Sequence, residues 1–229
     1  MKNLIRTIFA ASLSITACSC TGYGVTFQSA PSTTLLNCHP ALVGDWQVIE
    51  DERNAPVSNS QDFLSVNADC SNIYSITVKQ ESGKQVTKVD DLKNSKNQQV
   101  QFSDDYVVVT PKETSFEITP EIKIPSGKII YQINKGKDGV ILRPVDLDKT
   151  MKLVLDRKIN GQIFIDRDNP KGNQTANIYV RGDSKQIATY LGTLDIYSNE
   201  RLLLILTGPK EVKLIQKAIK SFRQDKKPK

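Results

Sequence analysis

The sequence predicts an α+β fold: an N-terminal antiparallel β meander, barrel- or sandwich-like, followed by a C-terminal β-α-β-β-α-β unit and a final amphipathic helix. Three observations carry this. Between Tyr74 and Val145, apolar and polar residues alternate with period two, and Gly, Asn and Asp gather between the runs. After Pro144 the apolar spacing changes to three and four residues. From Gly208-Pro209 onward, Val212, Ile215, Ile219 and Phe222 fall on one helical face.

Residues 18–37 read as an N-terminal tether. Gly22-Tyr23-Gly24 and Ser29-Ala30-Pro31-Ser32-Thr33-Thr34 offer too little apolar surface to fold alone. The β-rich region spans 38–145. Ala41 to Ile49 supplies a first strand. Tyr74, Ile76 and Val78 alternate with Ser75, Thr77 and Lys79, and Ser82-Gly83 turns the chain. Asp90 to Gln99 is polar and reads as a long exposed loop. Val100 with Phe102, then Tyr106 to Thr110, then Phe116 with Ile118 continue the meander. Ile129, Tyr131 and Ile133 lead through Asn134 to Gly139, a hairpin signal, into Val140 to Val145.

An α/β region spans 146–223. Leu147, Met151, Val154 and Leu155 have helical spacing, Asp146 or Asp148 can cap, and Gly161 can end the helix. Gln162 to Asp166 and Asn177 to Arg181 read as strands. Asp183 caps a helix carrying Ile187 and Leu191. The apolar run from Leu202 predicts a strand buried on both faces. Pro209 suits the first position of the last helix, and Glu211 suits its first turn. Residues 224–229 form a basic tail. From Val140, the order of elements resembles a split βαβ, ferredoxin-like unit. Val180-Arg181-Gly182-Asp183 and Leu206-Thr207-Gly208-Pro209 share one turn chemistry, and Arg181-Gly182-Asp183 reads as a strand end and a cap rather than an adhesion tripeptide.

Residues 1–17 have the layout of a signal peptide: Lys2 and Arg6, an apolar run from Thr7 to Ile15, then small residues. The run is shorter than the roughly 20 residues a membrane-spanning helix needs. Ile15-Thr16-Ala17-Cys18 resembles the lipobox of bacterial lipoproteins. The resemblance implies removal of residues 1–17 and acylation of Cys18 by a diacylglyceryl group, usually with a third chain on the new amine. Such multiple chains hold stably where one chain holds only marginally. Ser19, in place of Asp, implies by the family's sorting rule the outer membrane of a Gram-negative envelope, with the domain facing the periplasm. The alternative is an ordinary secretory signal with Cys18 incidental; Cys20 is a poorer acceptor. Leu203 to Phe222 is similar to the C-termini of poorly characterised envelope lipoproteins, which implies no activity. Gly44-Asp45-Trp46 resembles the opening of lipocalin-like barrels, which implies a Trp46 that plugs one barrel end and lines any pocket there. The alternative is a core tryptophan on a first strand.

The formal charge of +6 falls to +4 once Lys2 and Arg6 are removed. Lys220, Arg223, Lys226, Lys227 and Lys229 against Asp225 account for the excess, so the tail is either solvated or touches an anionic surface. With no basic stripe interleaved with aromatics, the sequence does not point to nucleic acid. Cys38 and Cys70 can pair in an oxidising compartment, for about 3 to 4 kcal/mol in the chain-entropy model, or stand as separate thiols. Cys20 is then left over.

Catalytic motifs are sparse. The single histidine, His39, reads as a surface or loop residue, and no Gly-x-Ser-x-Gly elbow accompanies it. Ser126-Gly127-Lys128 lacks a phosphate loop's upstream glycine. Asp166-x-Asp168-Asn169 starts like a calcium loop, but Pro170 and Lys171 occupy ligand and turn positions. Asp104-Asp105 lies in a turn. The expectation is therefore no cofactor, no metal and no catalytic residue. It is a lipid-anchored lipoprotein with a non-enzymatic binding or structural role towards an envelope protein or cell-wall partner. The alternatives are a lipocalin-like carrier of a small lipophilic ligand and, third, an envelope hydrolase whose only imidazole base is His39.

Overall fold

The computed structural model describes residues 24–50, 60–112, 115–119, 122–136, 139–166 and 175–225. The lipobox, Cys18, Cys20, most of the 166–173 segment and residues 226–229 lie outside them.

Among the described residues, fourteen strands and three α-helices form. The strands in chain order are β1 (Val25–Phe27), β2 (Gly44–Glu50), β3 (Ser60–Val66), β4 (Ile73–Glu81), β5 (Lys84–Asp91), β6 (Gln98–Ser103), β7 (Tyr106–Pro111), β8 (Ser115–Thr119), β9 (Ile122–Pro125), β10 (Ile129–Lys135), β11 (Gly139–Pro144), β12 (Gly161–Asp166), β13 (Thr175–Val180) and β14 (Leu202–Leu206). The helices are α1 (Leu147–Leu155), α2 (Ser184–Thr193) and α3 (Pro209–Asp225). The fold is α+β and mostly sheet.

Nine strands make one antiparallel sheet in the order β5-β4-β3-β2-β14-β11-β10-β7-β6. One face of it gathers a single apolar cluster from eight of those strands, including Trp46, Leu64, Ile73, Phe102, Tyr131 and Leu204. The opposite face is covered in two places. Over β3, β4 and β5, helix α3 packs Ile215, Leu214, Ala218, Ile219 and Phe222 on Phe63, Tyr74, Ile76 and Val78. Over β10, the three-stranded sheet β1-β13-β12 with α1 and α2 surrounds Ile130.

The local signals for helix ends are realised. Asp146 caps α1 through Lys149 N, and Asp183 caps α2 in a capping box with Gln186. Gly139 is required by close approach: a Cβ there would lie 2.0 Å from the Leu204 carbonyl oxygen. It lets β14 lie against the start of β11.

Several expectations fail for physical reasons. Residues 24–37 are not a free tether. Val25–Phe27 is a strand paired in parallel with Ile178–Val180, and Phe27 is 0% exposed. Leu36 bridges Phe102. The β-α-β-β-α-β elements occur in the expected linear order but do not share one sheet. A ferredoxin-like unit needs β13 beside β11. Here β10 and β14 occupy the two sides of β11, so the β12–β13 hairpin is displaced and takes β1 as its neighbour. Whether the regions 38–145 and 146–223 share a core was open in the sequence; β14 sits between β2 and β11, so they share a sheet. Strand β14 is not buried on both faces: Leu203 and Ile205 are half-buried and Leu206 is 63% exposed. The expected 90–99 loop shrinks at both ends, since β5 runs to Asp91 and β6 begins at Gln98.

Candidate functional site

Three places hold the side chains that sequence reasoning singled out or that chemistry makes notable. The first is the segment 36–46, which closes one end of the nine-stranded sheet. Cys38 and Cys70 are joined by a disulfide with Cα atoms 5.1 Å apart, tying this segment to the β3–β4 turn. That turn is built by Asn67, Asp69 and Ser71: Asn72 N donates to Asn67 Oδ1 at 2.8 Å and Ser71 N donates to Asp69 Oδ1 at 3.0 Å. The Ser71 backbone bond, then its hydroxyl, hold the Asp69 carboxyl below its ordinary value.

His39 is 5% exposed, not a surface residue. Its Nδ1 accepts from Ala41 N at 3.2 Å, which places the ring proton on Nε2, and Nε2 donates to the Asp104 carbonyl oxygen at 3.0 Å. Both ring nitrogens are thus held by backbone groups, one of them 65 residues away in sequence. A 3₁₀ turn, Pro40–Leu42, follows, and Trp46 Nε1 donates to the Leu42 carbonyl oxygen at 2.9 Å. Gly44 has φ +138°, a conformation that side-chain-bearing residues rarely adopt, and it swings the chain into β2 so that Trp46 enters the apolar cluster. Trp46 is a packed core residue closing this end.

The second place is the β7–β10–β11 row. Tyr106, Gln132 and Arg143 stand in register on adjacent strands. Arg143 donates to the Ser198 carbonyl oxygen through Nε at 3.2 Å and Nη2 at 3.0 Å, and lies 5.6 Å from the Tyr197 ring centroid. The Tyr197 hydroxyl is buried without a hydrogen-bond partner among the described residues. Burial first, then neighbouring Tyr106, drive its pKa far above the ordinary phenol range.

The third place is the flank of α3. An open depression there is lined by Gln216, Ile219, Lys220, Arg223 and Gln224. Arg223 Nε bonds the Tyr74 hydroxyl at 3.2 Å and its guanidinium stacks 5.6 Å from that ring. Sequence reading assigned Lys220 and Arg223 to a tail; both stand on the helix. The signal that reveals this face is the lysine spacing opposite Val212, Ile215, Ile219 and Phe222.

Among the described residues, no cluster of His, Cys, Asp and Glu could hold a metal ion. No described helix is long and apolar enough to cross a membrane. Compared with protein-family models, with curated proteins and with solved structures, the chain matches none of them.

Proposed function

We propose that the chain is a lipid-anchored envelope lipoprotein, held through acylated Cys18 at the outer membrane of a Gram-negative bacterium, whose domain has a non-enzymatic binding or structural role towards another envelope component. The observation that carries this reading is Ile15-Thr16-Ala17-Cys18 after a basic start and a short apolar run. The Cys38–Cys70 disulfide supports it, because such bonds persist in oxidising compartments.

The fold changes how the anchor works. Only six residues, Ser19 to Gly24, separate Cys18 from β1. Fully extended, the chain from Cys18 to Val25 spans roughly 25 Å. On this reading, β1 stays within that distance of the acylated residue.

Two alternatives lose support. A hydrolase that used His39 as its base would find both ring nitrogens committed to Ala41 and Asp104. A lipocalin-like carrier needs space inside a barrel-like sheet. Here the interior positions hold Trp46, Phe102, Tyr131 and Leu204 in one contiguous cluster.

Metabolic labelling with an alkyne fatty acid tests the proposal. The expected result is label on the protein and its loss in Cys18→Ala. An unlabelled wild-type chain, or a Cys18→Ala chain that keeps its label, would sink it.

A further inference from the structure

Helix α3 carries a row of charge that the fold does not use. At 100° per residue, Lys210, Lys213, Lys217 and Lys220 share one arc of about 80°. The arc lies opposite Ile215, Ala218 and Phe222, which pack on the sheet. All four lysines are exposed, and among the described residues none has an ion-pair partner. Glu211 falls well outside the arc. The row is about 15 Å long at 1.5 Å per residue.

Helix stability does not ask for these residues. Lys210 stands in the first turn, where the macrodipole disfavours cations. The pairs Lys210/Lys213, Lys213/Lys217 and Lys217/Lys220 are like charges at spacings that repel. A local rule broken repeatedly along one solvent face marks a surface kept for something else. At the far end of the row, Lys220 and Arg223 stand beside Gln216 and Gln224 around the open depression. Paired cations with amide donors suit a phosphate group.

We infer that this row docks on an anionic phospholipid surface, as a second, electrostatic contact beside the acyl chains. The inference rests on the anchor reading in one respect: the short link to Cys18 supplies a leaflet at high local concentration. A planar charged surface meets all four ammonium groups at once because they share one arc. The sequence continues with Lys226, Lys227 and Lys229, which adds charge of the same sign.

The test uses the unacylated chain, Cys18→Ser from residue 18 to residue 229. Its co-sedimentation is measured with phosphatidylcholine vesicles, with and without phosphatidylglycerol, and with purified cell-wall sacculi. Binding is expected to the anionic vesicles only, and to vanish at roughly 0.5 M salt. Combining Lys210→Gln, Lys213→Gln, Lys217→Gln and Lys220→Gln should weaken it roughly 100-fold or more. The variant's circular dichroism should match the parent, since the four positions are exposed. Equal binding to neutral vesicles, unchanged binding by the variant, or binding to sacculi alone would overturn the inference. Because the assayed protein has no acyl chain, these failures leave the anchor reading untouched. A missing acyl group on the native protein would likewise leave vesicle binding as measured.

Discussion

The segment 36–46 and helix α3 both cover the nine-stranded sheet, and they dispose of their polar groups in opposite ways. In the first, the polar side chains are consumed by the fold: His39 bridges two backbone groups, Trp46 reaches the Leu42 carbonyl and Cys38 is bonded to Cys70. In the second, apolar residues do the packing and a row of lysines is left exposed. Unusual residue types therefore mislead when taken alone. The single His and the single Trp, which look functional in a sequence, serve structure. Ordinary lysines at one angular position remain available to a partner.

The contrast can be broken by mutation, beginning at the closed end. Trp46→Ala should cost about 3 to 5 kcal/mol, through lost transfer energy and a cavity where the ring packs. Urea unfolding monitored by circular dichroism measures it, and a loss under about 1 kcal/mol would mean Trp46 is not core. Replacing Cys38 and Cys70 together by Ser should cost about 3 to 4 kcal/mol, because the unfolded chain regains the entropy of the open loop. The same shift should follow reduction of the wild type. His39→Ala should cost about 1 to 3 kcal/mol, since it leaves Ala41 N–H and the Asp104 carbonyl without their partner. A His39→Ala protein of unchanged stability would return His39 to the list of free functional groups.

On α3 the expected effects are small, which sharpens the comparison. The four-lysine variant should keep its stability within about 0.5 kcal/mol. A large loss in thermal unfolding would show that the lysines are structural after all. Smallest of all is the contribution of exposed Asp69. Its folded pKa lies below 3.8, so its stabilisation of the turn is fully present above the unfolded value and is lost as pH falls through the folded value. Carboxyl chemical shifts followed from pH 6 down to pH 2 should place the Asp69 midpoint below that of an exposed Asp. A midpoint at or above the ordinary value would remove the Ser71 bond from the account.

Elements whose signal is local could be read from the sequence. Tyr74, Ile76 and Val78 alternate because they share the face under α3, and Asp146 and Asp183 were visible as caps because capping is decided within three residues. Strands without an apolar face were not visible. In β5, Lys84 to Lys88 are exposed at the sheet edge and carry no period. In β3, Phe63 packs outward and Leu64 inward, so both faces are apolar and the alternation disappears. β1 is three residues long, and its partner, β13, lies about 150 positions away. The split of the expected α/β unit followed from the local β10–β11 hairpin, which together with β14 leaves β11 no free edge for β13. Within the candidate sites, the burial of His39 depended on the β6–β7 turn, which no spacing around residue 39 announces.

Intact mass spectrometry of the protein from native membranes, beside Cys18→Ala, tests the central claim most directly. The expected result is a mature chain that begins at Cys18 and carries two or three acyl chains, absent from the variant. An unacylated mass, cut near the same point, would contradict it and make the protein a soluble one of the periplasm or the medium.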